Sequence, residues 1–188
     1  MLPDPQDRLI RSATAKDIAG IAAVHVRAWR SAYAGIVPEA TLEVLNVERR
    51  SQMWAEARLG KRPADRPVLV AAVGDIIVGT TAAGPPRDRD MPYDAELYAI
   101  NVDPDYWRQG IGRRLFLHCA ERLSAMGARS LYLWVFTANG RGRRFYESLA
   151  GEPLADSTHD HEMGGTKIPE IAYGWRQMPG AAAASARL

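Results

Sequence analysis

The feature that most constrains this chain is a strand that hands over to a helix. Ala95–Val102 is apolar at nearly every position, with Glu96 and Asn101 the exceptions. A run of that kind is buried on both faces and belongs in the middle of a sheet. Asp103-Pro104 stops it, and a helix opens a few residues later on Gly110-Ile111-Gly112, with Arg108, Arg113 and Arg114 around it. Glycines at such a turn let the backbone approach a ligand closely, and the N–H groups of a helix's first turn attract anions. A pyrophosphate suits the place. Leu115 stands where a dinucleotide fingerprint needs its third glycine, and Walker A spacing is absent.

The rest of the chain supplies a sheet around that strand. Residues 8–12 read as a short strand, and Thr14 with Asp17 as a capping box carrying Asp in place of the usual Glu or Gln. Ile18, Ile21, His25, Ala28 and Trp29 form a helical stripe that residues 34–38 break, and 38–59 reads as a second helical region. Lys61–Pro67 is a loop. Val68–Val73 and Ile76–Thr81 are β-branched runs joined by a two-residue Gly74-Asp75 turn. After the proline-rich loop Gly84–Tyr93 and the central strand come a helix over 110–126, a strand over 130–136 and a helix over 139–149. Residues 150–168 read as a polar loop with a short strand near 154–158, and Pro169–Arg176 as the closing strand. The expected fold is α/β, a mixed sheet with helices on its faces. One domain spans 8–178, between an extension at 1–7 and a frayed alanine-rich tail at 179–188.

Composition narrows the compartment more than the chemistry. The 188 residues, 47% hydrophobic, can bury roughly 70% of their unfolded surface without disulfides or a structural metal. Cys119 is the single cysteine, so neither a disulfide framework nor a CxxC metal site exists. No apolar run is long enough to span a membrane, and Met1–Asp7 lacks a signal-peptide core. The expected compartment is a reducing cytoplasm, with no membrane partner. Residues 104–145 carry eight arginines against Asp105 and Glu121. Such a field attracts a nucleic-acid backbone or a phosphorylated cofactor, and charge alone does not choose.

Two segments decide between them. Trp107–Gly112 resembles the acyl-CoA motif of the GNAT superfamily of N-acyltransferases, commonly Arg/Gln-x-x-Gly-x-Gly/Ala. Asn139-Gly140-Arg141-Gly142-Arg143-Arg144-Phe145-Tyr146 is similar to its second motif, an Asn followed by a helix ending in Phe-Tyr. Ile10–Thr14 and His25–Trp29 match a bacterial branch, and the resemblance runs over about 8–178. Three departures stand out. Trp107 replaces the usual Arg or Gln, Gly142 a frequent Ala, and Leu149-Ala150-Gly151 the usual Leu-Gly-Phe. The first is expected to loosen a phosphate contact and the third to leave the helix end less well packed.

The resemblance implies a mostly antiparallel sheet with a splayed strand pair, and acetyl-CoA as acyl donor. The backbone of Ile100, Asn101 and Val102 would pair with the pantetheine arm, while Arg108, Gln109, Gly110, Ile111, Gly112 and Arg113 would hold the pyrophosphate. Asn139 would cap its helix and touch the arm. Tyr146 would protonate the departing thiolate, since a phenol with an ordinary pKa of about 10 stays protonated at neutral pH. Glu96, desolvated in its strand, would accept the amine's proton. Trp29, Tyr33 and Tyr98 would line the acceptor site, with core packing as the other reading for the first two. The acceptor would be a small-molecule or peptide amine attacking directly in a ternary complex. A homodimer is compatible with the sequence, but no interface is legible.

Other residues carry plainer expectations. His25 lies on an apolar stripe and reads as a satisfied, partly buried histidine rather than a base. Cys119, among Leu115 and Leu123, reads as inert packing. His159-Asp160-His161-Glu162 sits in a loop, where adjacent side chains seldom close a metal site, so no metal is expected. A CoA-binding regulator without catalysis and an arginine-rich nucleic-acid module are the competing readings.

Overall fold

The computed structural model describes residues 8–56 and 65–180. The extension at 1–7, residues 57–59 of the second helical region, 61–64 of the following loop and 181–188 of the tail lie outside the described residues.

Among the described residues eight strands form one sheet: β1 (Arg8–Ser12), β2 (Val68–Val73), β3 (Ile76–Gly84), β4 (Ala95–Val102), β5 (Leu131–Phe136), β6 (Glu152–Pro153), β7 (His159–Met163) and β8 (Thr166–Trp175). Their order is β1-β2-β3-β4-β5-β8-β6, with β7 paired to β8 as well. Every pairing is antiparallel except β4 with β5. Among the described residues five α-helices accompany them: α1 (Ile18–Ala32), α2 (Glu39–Glu43), α3 (Val47–Trp54), α4 (Ile111–Ala125) and α5 (Gly140–Glu147).

β2 shows why helices cover both faces. Its period of two sends Val68, Val70 and Ala72 to a core with Ile21 and Val24 of α1 and Trp54 of α3. Leu69, Ala71 and Val73 go to a core with Leu115, Phe116 and Cys119 of α4. All six are buried. α1 begins where the capping box places it. The Asp17 carboxylate accepts from the Thr14 N–H at 2.7 Å and hydroxyl at 2.9 Å, and Arg11 grips it with two nitrogens at 2.7 and 2.8 Å.

Two readings of the sequence need correction. The helical region from 38 is two helices, interrupted where Asn46 caps α3 by accepting from the Arg49 N–H at 2.8 Å. The polar stretch 150–168 is largely structured, and 155–157 is a 3-10 turn rather than strand. β7 is exposed nearly throughout, so its polar sequence gave no apolar alternation to read. The signal was its turn. Met163 faces Thr166 across Gly164-Gly165, both at positive φ, which is the two-residue hairpin that two glycines favour.

Candidate active site

The sheet opens at its middle. β4 and β5 are in register only at Ala95–Leu131 and Glu96–Tyr132, and then diverge. β4 carries one extra residue against β3, since Ala83 faces Leu97 and Ala82 faces Ala99, leaving Tyr98 bulged. Bulges bend a strand and recur beside active sites. The gap beyond is a cleft of about 220 Å³ with Leu97–Asn101 on one wall and Leu133 and Trp134 on the other. Tyr146 of α5, His25 and Trp29 of α1 and Tyr33 at its C-terminal cap complete it with α3 residues.

The β4 wall offers backbone. Asp103 donates to Val78 of β3 at 2.9 Å, so the alternation of the ladder turns Ile100 and Val102 away from β3 and towards the cleft. Ile100 therefore presents both its N–H and its C=O. Val102 presents less than its sequence promised, because its carbonyl accepts from the Trp107 indole N–H at 2.7 Å. Asn101 is buried, and its side-chain Nδ2 has no hydrogen-bond partner.

At the end of β4 the chain curls into α4. Asp103 and Asp105 are held by the Arg27 guanidinium of α1 at 2.8 and 2.6 Å, and Gln109 donates its side-chain amide to the Asp105 carbonyl at 3.1 Å. Arg108 (φ 57°) and Gly110 (φ 78°) both adopt the left-handed conformation. Arg114 is the first residue of α4 whose N–H finds a helical carbonyl, that of Gly110 at 3.0 Å. The N–H groups of Ile111, Gly112 and Arg113 project from the helix start, the arrangement that binds anions. A Cβ at Gly112 would press on the Phe145 ring at 3.3 Å, so glycine there lets α5 close against α4. Arg108 and Arg113 are exposed. Trp107 brings no charge of its own, yet the Arg141 guanidinium stacks on its indole at 3.6 Å. A cation thus sits over this turn after all, carried by α5.

Asn139 caps α5 as expected, accepting from the Gly142 N–H at 2.9 Å. The glycine matters, since a Cβ at 142 would lie 2.7 Å from Asn139 Nδ2. The far end of α5 is not loosely packed. A Cβ at Gly151 would lie 2.5 Å from the Trp175 ring, which fills this space from β8 and donates its indole N–H to Leu149 at 2.8 Å. Tyr146 packs among Phe145, Tyr173 and Trp175 and turns its phenol to the cleft. Burial first, and then the neighbouring Tyr33, push its pKa upward, so the phenol is protonated.

Glu96 does not reach this cleft. It is completely buried, and its carboxylate accepts from the Arg87 backbone N–H at 2.8 Å, Arg87 Nε at 2.9 Å, a terminal Arg87 nitrogen and the Tyr132 hydroxyl at 3.1 Å. Four donors occupy the acceptor sites of the carboxylate. The residue expected to act as a base instead anchors the loop after β3. Tyr98 does line the cleft, with its hydroxyl on Pro85 at 2.5 Å and its ring under the Arg87 guanidinium.

His25 is the residue the sequence understated. Its i, i+4, i+8 spacing with Trp29 and Tyr33 makes a ladder of rings, with centroids 5.2 and 4.7 Å apart. It is 7% exposed and lines the cleft, and neither ring nitrogen has a partner. Burial, aided by nearby Arg50, lowers its pKa to about 3, so the imidazole is neutral at physiological pH. The available signal was position. A histidine in phase with two aromatics that wall a cleft faces the cleft too.

Cys119 is buried in α4 with its thiol pushed up to about 12 by burial. His159 and His161 both face Glu170, at 3.1 and 3.7 Å. Among the described residues no group of three or more His, Cys, Asp or Glu side chains is arranged to hold a metal ion, and no helix is long and apolar enough to cross a membrane.

A sheet opened between parallel neighbours, with an amide-lined turn at its exit and a protonated phenol alongside, defines the acyl-CoA N-acyltransferase class of fold. The sequence pattern of the acetyltransferase (GNAT) family matches residues 23–151, and the chain belongs to that family. It is 34% identical over 167 residues to the uncharacterized N-acetyltransferase YuaI of Bacillus subtilis, covering 88% of this chain and 91% of that one. Among solved structures it resembles yncA, a putative acetyltransferase of Salmonella typhimurium with its cofactor acetyl-CoA. The TM-score is 0.65 at 20% identity, over 94% of this chain and 96% of that one. Ribosomal-protein-alanine N-acetyltransferase from Brucella melitensis superposes with a TM-score of 0.68 at 24% identity, over 89% and 98% of the two chains.

Proposed function

We propose that this protein transfers acetyl from acetyl-CoA to a primary amine, both held together in one ternary complex. The observation that carries the reading is the opening between β4 and β5, whose cleft joins Ile100 to the Tyr146 phenol while the strand that forms its wall runs on into the amide-lined turn before α4. The donor, when bound, supplies an acyl group activated as a thioester.

The chain's own residues divide the work. The α4 amides, with Gly110 and Gly112 allowing close approach, receive the diphosphate, and Arg108, Arg113 and Arg141 oppose its charge. Gln109 steadies the turn through Asp105. The Ile100 backbone and the Val102 N–H would pair with the amide arm as an added strand does, with the side chains of Asn101 and Asn139 as further polar partners for it. Tyr146 holds a proton at its hydroxyl oxygen and gives it to the sulfur that leaves as the amine's nitrogen takes the acyl carbon. The amine's surplus proton passes to solvent, and the phenol is reprotonated. Trp29, Tyr33 and Tyr98 wall the acceptor and keep water from the reacting bond.

The test is release of free thiol from acetyl-CoA in the presence of pooled amines. Tyr146→Phe should lower kcat by about 10²-fold while barely changing KM for acetyl-CoA. Thermal stabilisation by CoA without thiol release from any pool would mark a CoA-binding protein without catalysis. No stabilisation at millimolar CoA would end the reading.

A further inference from the structure

The acceptor end of the cleft is chemically lopsided. Of the described residues whose side chains line it, Arg50 alone is charged, and no carboxylate is among them. Arg50 comes from α3 and lies half-buried, its guanidinium 5.9 Å from the Trp29 ring centroid. Among the described residues it has no carboxylate partner. The one side-chain acceptor it meets is the Met53 sulfur, at 3.6 Å. Its helix neighbour Arg49 adds like charge. A half-buried cation without a counter-ion is a standing cost that an anion in the cleft would remove.

His25 stacks on the same Trp29, close enough to Arg50 to feel its charge, with both ring nitrogens unpartnered at 7% exposure. A neutral imidazole carries one N–H donor. A guanidinium and an orphan N–H therefore share one aromatic wall. The ring ladder leads from them to Tyr33 and on to Tyr146, where acyl transfer would occur. Buried polar groups are normally satisfied, and a pair left unsatisfied beside an unpaired cation points to an absent anionic partner.

We infer that the acceptor is an amine that also bears a carboxylate, the amine directed towards Tyr146 and the carboxylate seated on Arg50 and the His25 N–H. This rests on the N-acetyltransferase reading and names its substrate class. The same wall rejects acceptors carrying several positive charges, because Arg50 repels them and nothing in the lining offsets it. Trp29, Trp54 and Trp134 give the site an apolar surround suited to an amino acid with an apolar or aromatic side chain.

The experiment uses matched sets: phenylalanine, its amide, phenethylamine and an alanine-initiated peptide, with spermidine as the cationic control. Thiol release gives kcat/KM for each. Titration of tryptophan fluorescence without acetyl-CoA gives binding alone, since three tryptophans line the cleft. Phenylalanine should exceed its amide and phenethylamine by at least tenfold in both measurements, and Arg50→Gln should erase the difference. Thermal stabilisation of Arg50→Gln by CoA should match that of the unaltered protein, which shows that the variant folds. Arg50→Lys should restore part of the preference, keeping charge without the fork. Turnover of amines with no preference for the carboxylate, a preference that survives Arg50→Gln, or preference for the peptide would overturn this inference and leave the acetyltransferase reading standing. Absence of both CoA stabilisation and thiol release would overturn that reading itself.

Discussion

Glu96 of β4 and His25 of α1 are both buried ionisable side chains, and they live in opposite conditions. Glu96 is enclosed by four hydrogen-bond donors from Arg87 and Tyr132. His25 is nearly as enclosed and has none. The first arrangement is complete, so it serves the fold and has no capacity left for chemistry. The second is incomplete, so it costs stability and leaves two ring nitrogens available to a ligand. Burial alone does not separate structural from functional polar groups. The count of partners does.

The strongest way to break this contrast is to undo the complete arrangement. Glu96→Ala should cost about 3 kcal/mol, because it opens a cavity at a completely buried position and leaves the buried Tyr132 hydroxyl unpaired. For a chain of this size that lowers Tm by roughly 6–12 °C. Turnover per folded molecule should fall far less than with Tyr146→Phe. A Glu96→Ala protein of unchanged Tm that had lost its activity would restore the glutamate as a base.

The incomplete arrangement is tested by pH. The folded pKa of His25, about 3, lies below the ordinary unfolded value of about 6.5, so the unfolded state binds the proton first. Stability is therefore fully present above about pH 6.5 and is lost as pH falls towards 3. The loss should reach about 2 kcal/mol by pH 4.5. His25→Phe removes this titration, so its denaturation midpoint should be flatter over that window. Equal slopes for the two proteins would show that His25 protonates freely in the folded state.

Asp17 sharpens the comparison with a second complete arrangement. Its carboxylate pKa is held well below the usual range, first by the Arg11 hydrogen bonds and then by those from Thr14. A depressed carboxylate contributes stability above its unfolded pKa of about 4 and loses it only at lower pH. Arg11 is 38% exposed, so solvent screening reduces the gain to about 1 kcal/mol. Asp17→Asn should remove that amount at neutral pH and leave the slope between pH 6.5 and 4.5 to His25. The two acid limbs thus separate by variant.

How much of this was legible in the sequence follows the same division. The donor half was, because a strand, an Asp-Pro stop, a glycine turn and an Asn-capped helix are local patterns that neighbouring residues enforce. The β4–β5 opening was expected from the family resemblance alone, because the bulge at Tyr98 beside it is one that no periodicity announces. The Arg87 partnership of Glu96 joins residues nine positions apart across a loop, so the sequence showed a carboxylate in an apolar strand and not the donors around it. Arg50 came from a stretch with a weak helical pattern, and its place in the cleft follows from how α3 packs on α1. β7 is an exposed edge strand whose glycine turn was readable and whose residues were not.

The smallest effect concerns a departure that the backbone, not the side chains, has to absorb. Ala150 closes α5 at φ 60°, a conformation that costs a residue with a Cβ roughly 1 kcal/mol or more and a glycine almost nothing. Its N–H bonds to Glu147 at 2.9 Å, and that of Gly151 to Tyr146 at 2.9 Å, so the helix end is fully hydrogen-bonded despite the strain. Ala150 is exposed and loses no packing on truncation. Ala150→Gly should therefore stabilise the protein by about 0.5 kcal/mol, the strain relieved being partly offset by the greater freedom of an unfolded glycine. The gain should appear in the denaturation midpoint at every pH, unlike those governed by His25 and Asp17. Gly151→Ala should act oppositely and more strongly, because its Cβ would meet the Tyr146 carbonyl at 2.9 Å as well as the Trp175 ring. If both substitutions at this helix end were neutral, the close packing of Trp175 would not be what secures α5, and with it Tyr146, against the sheet.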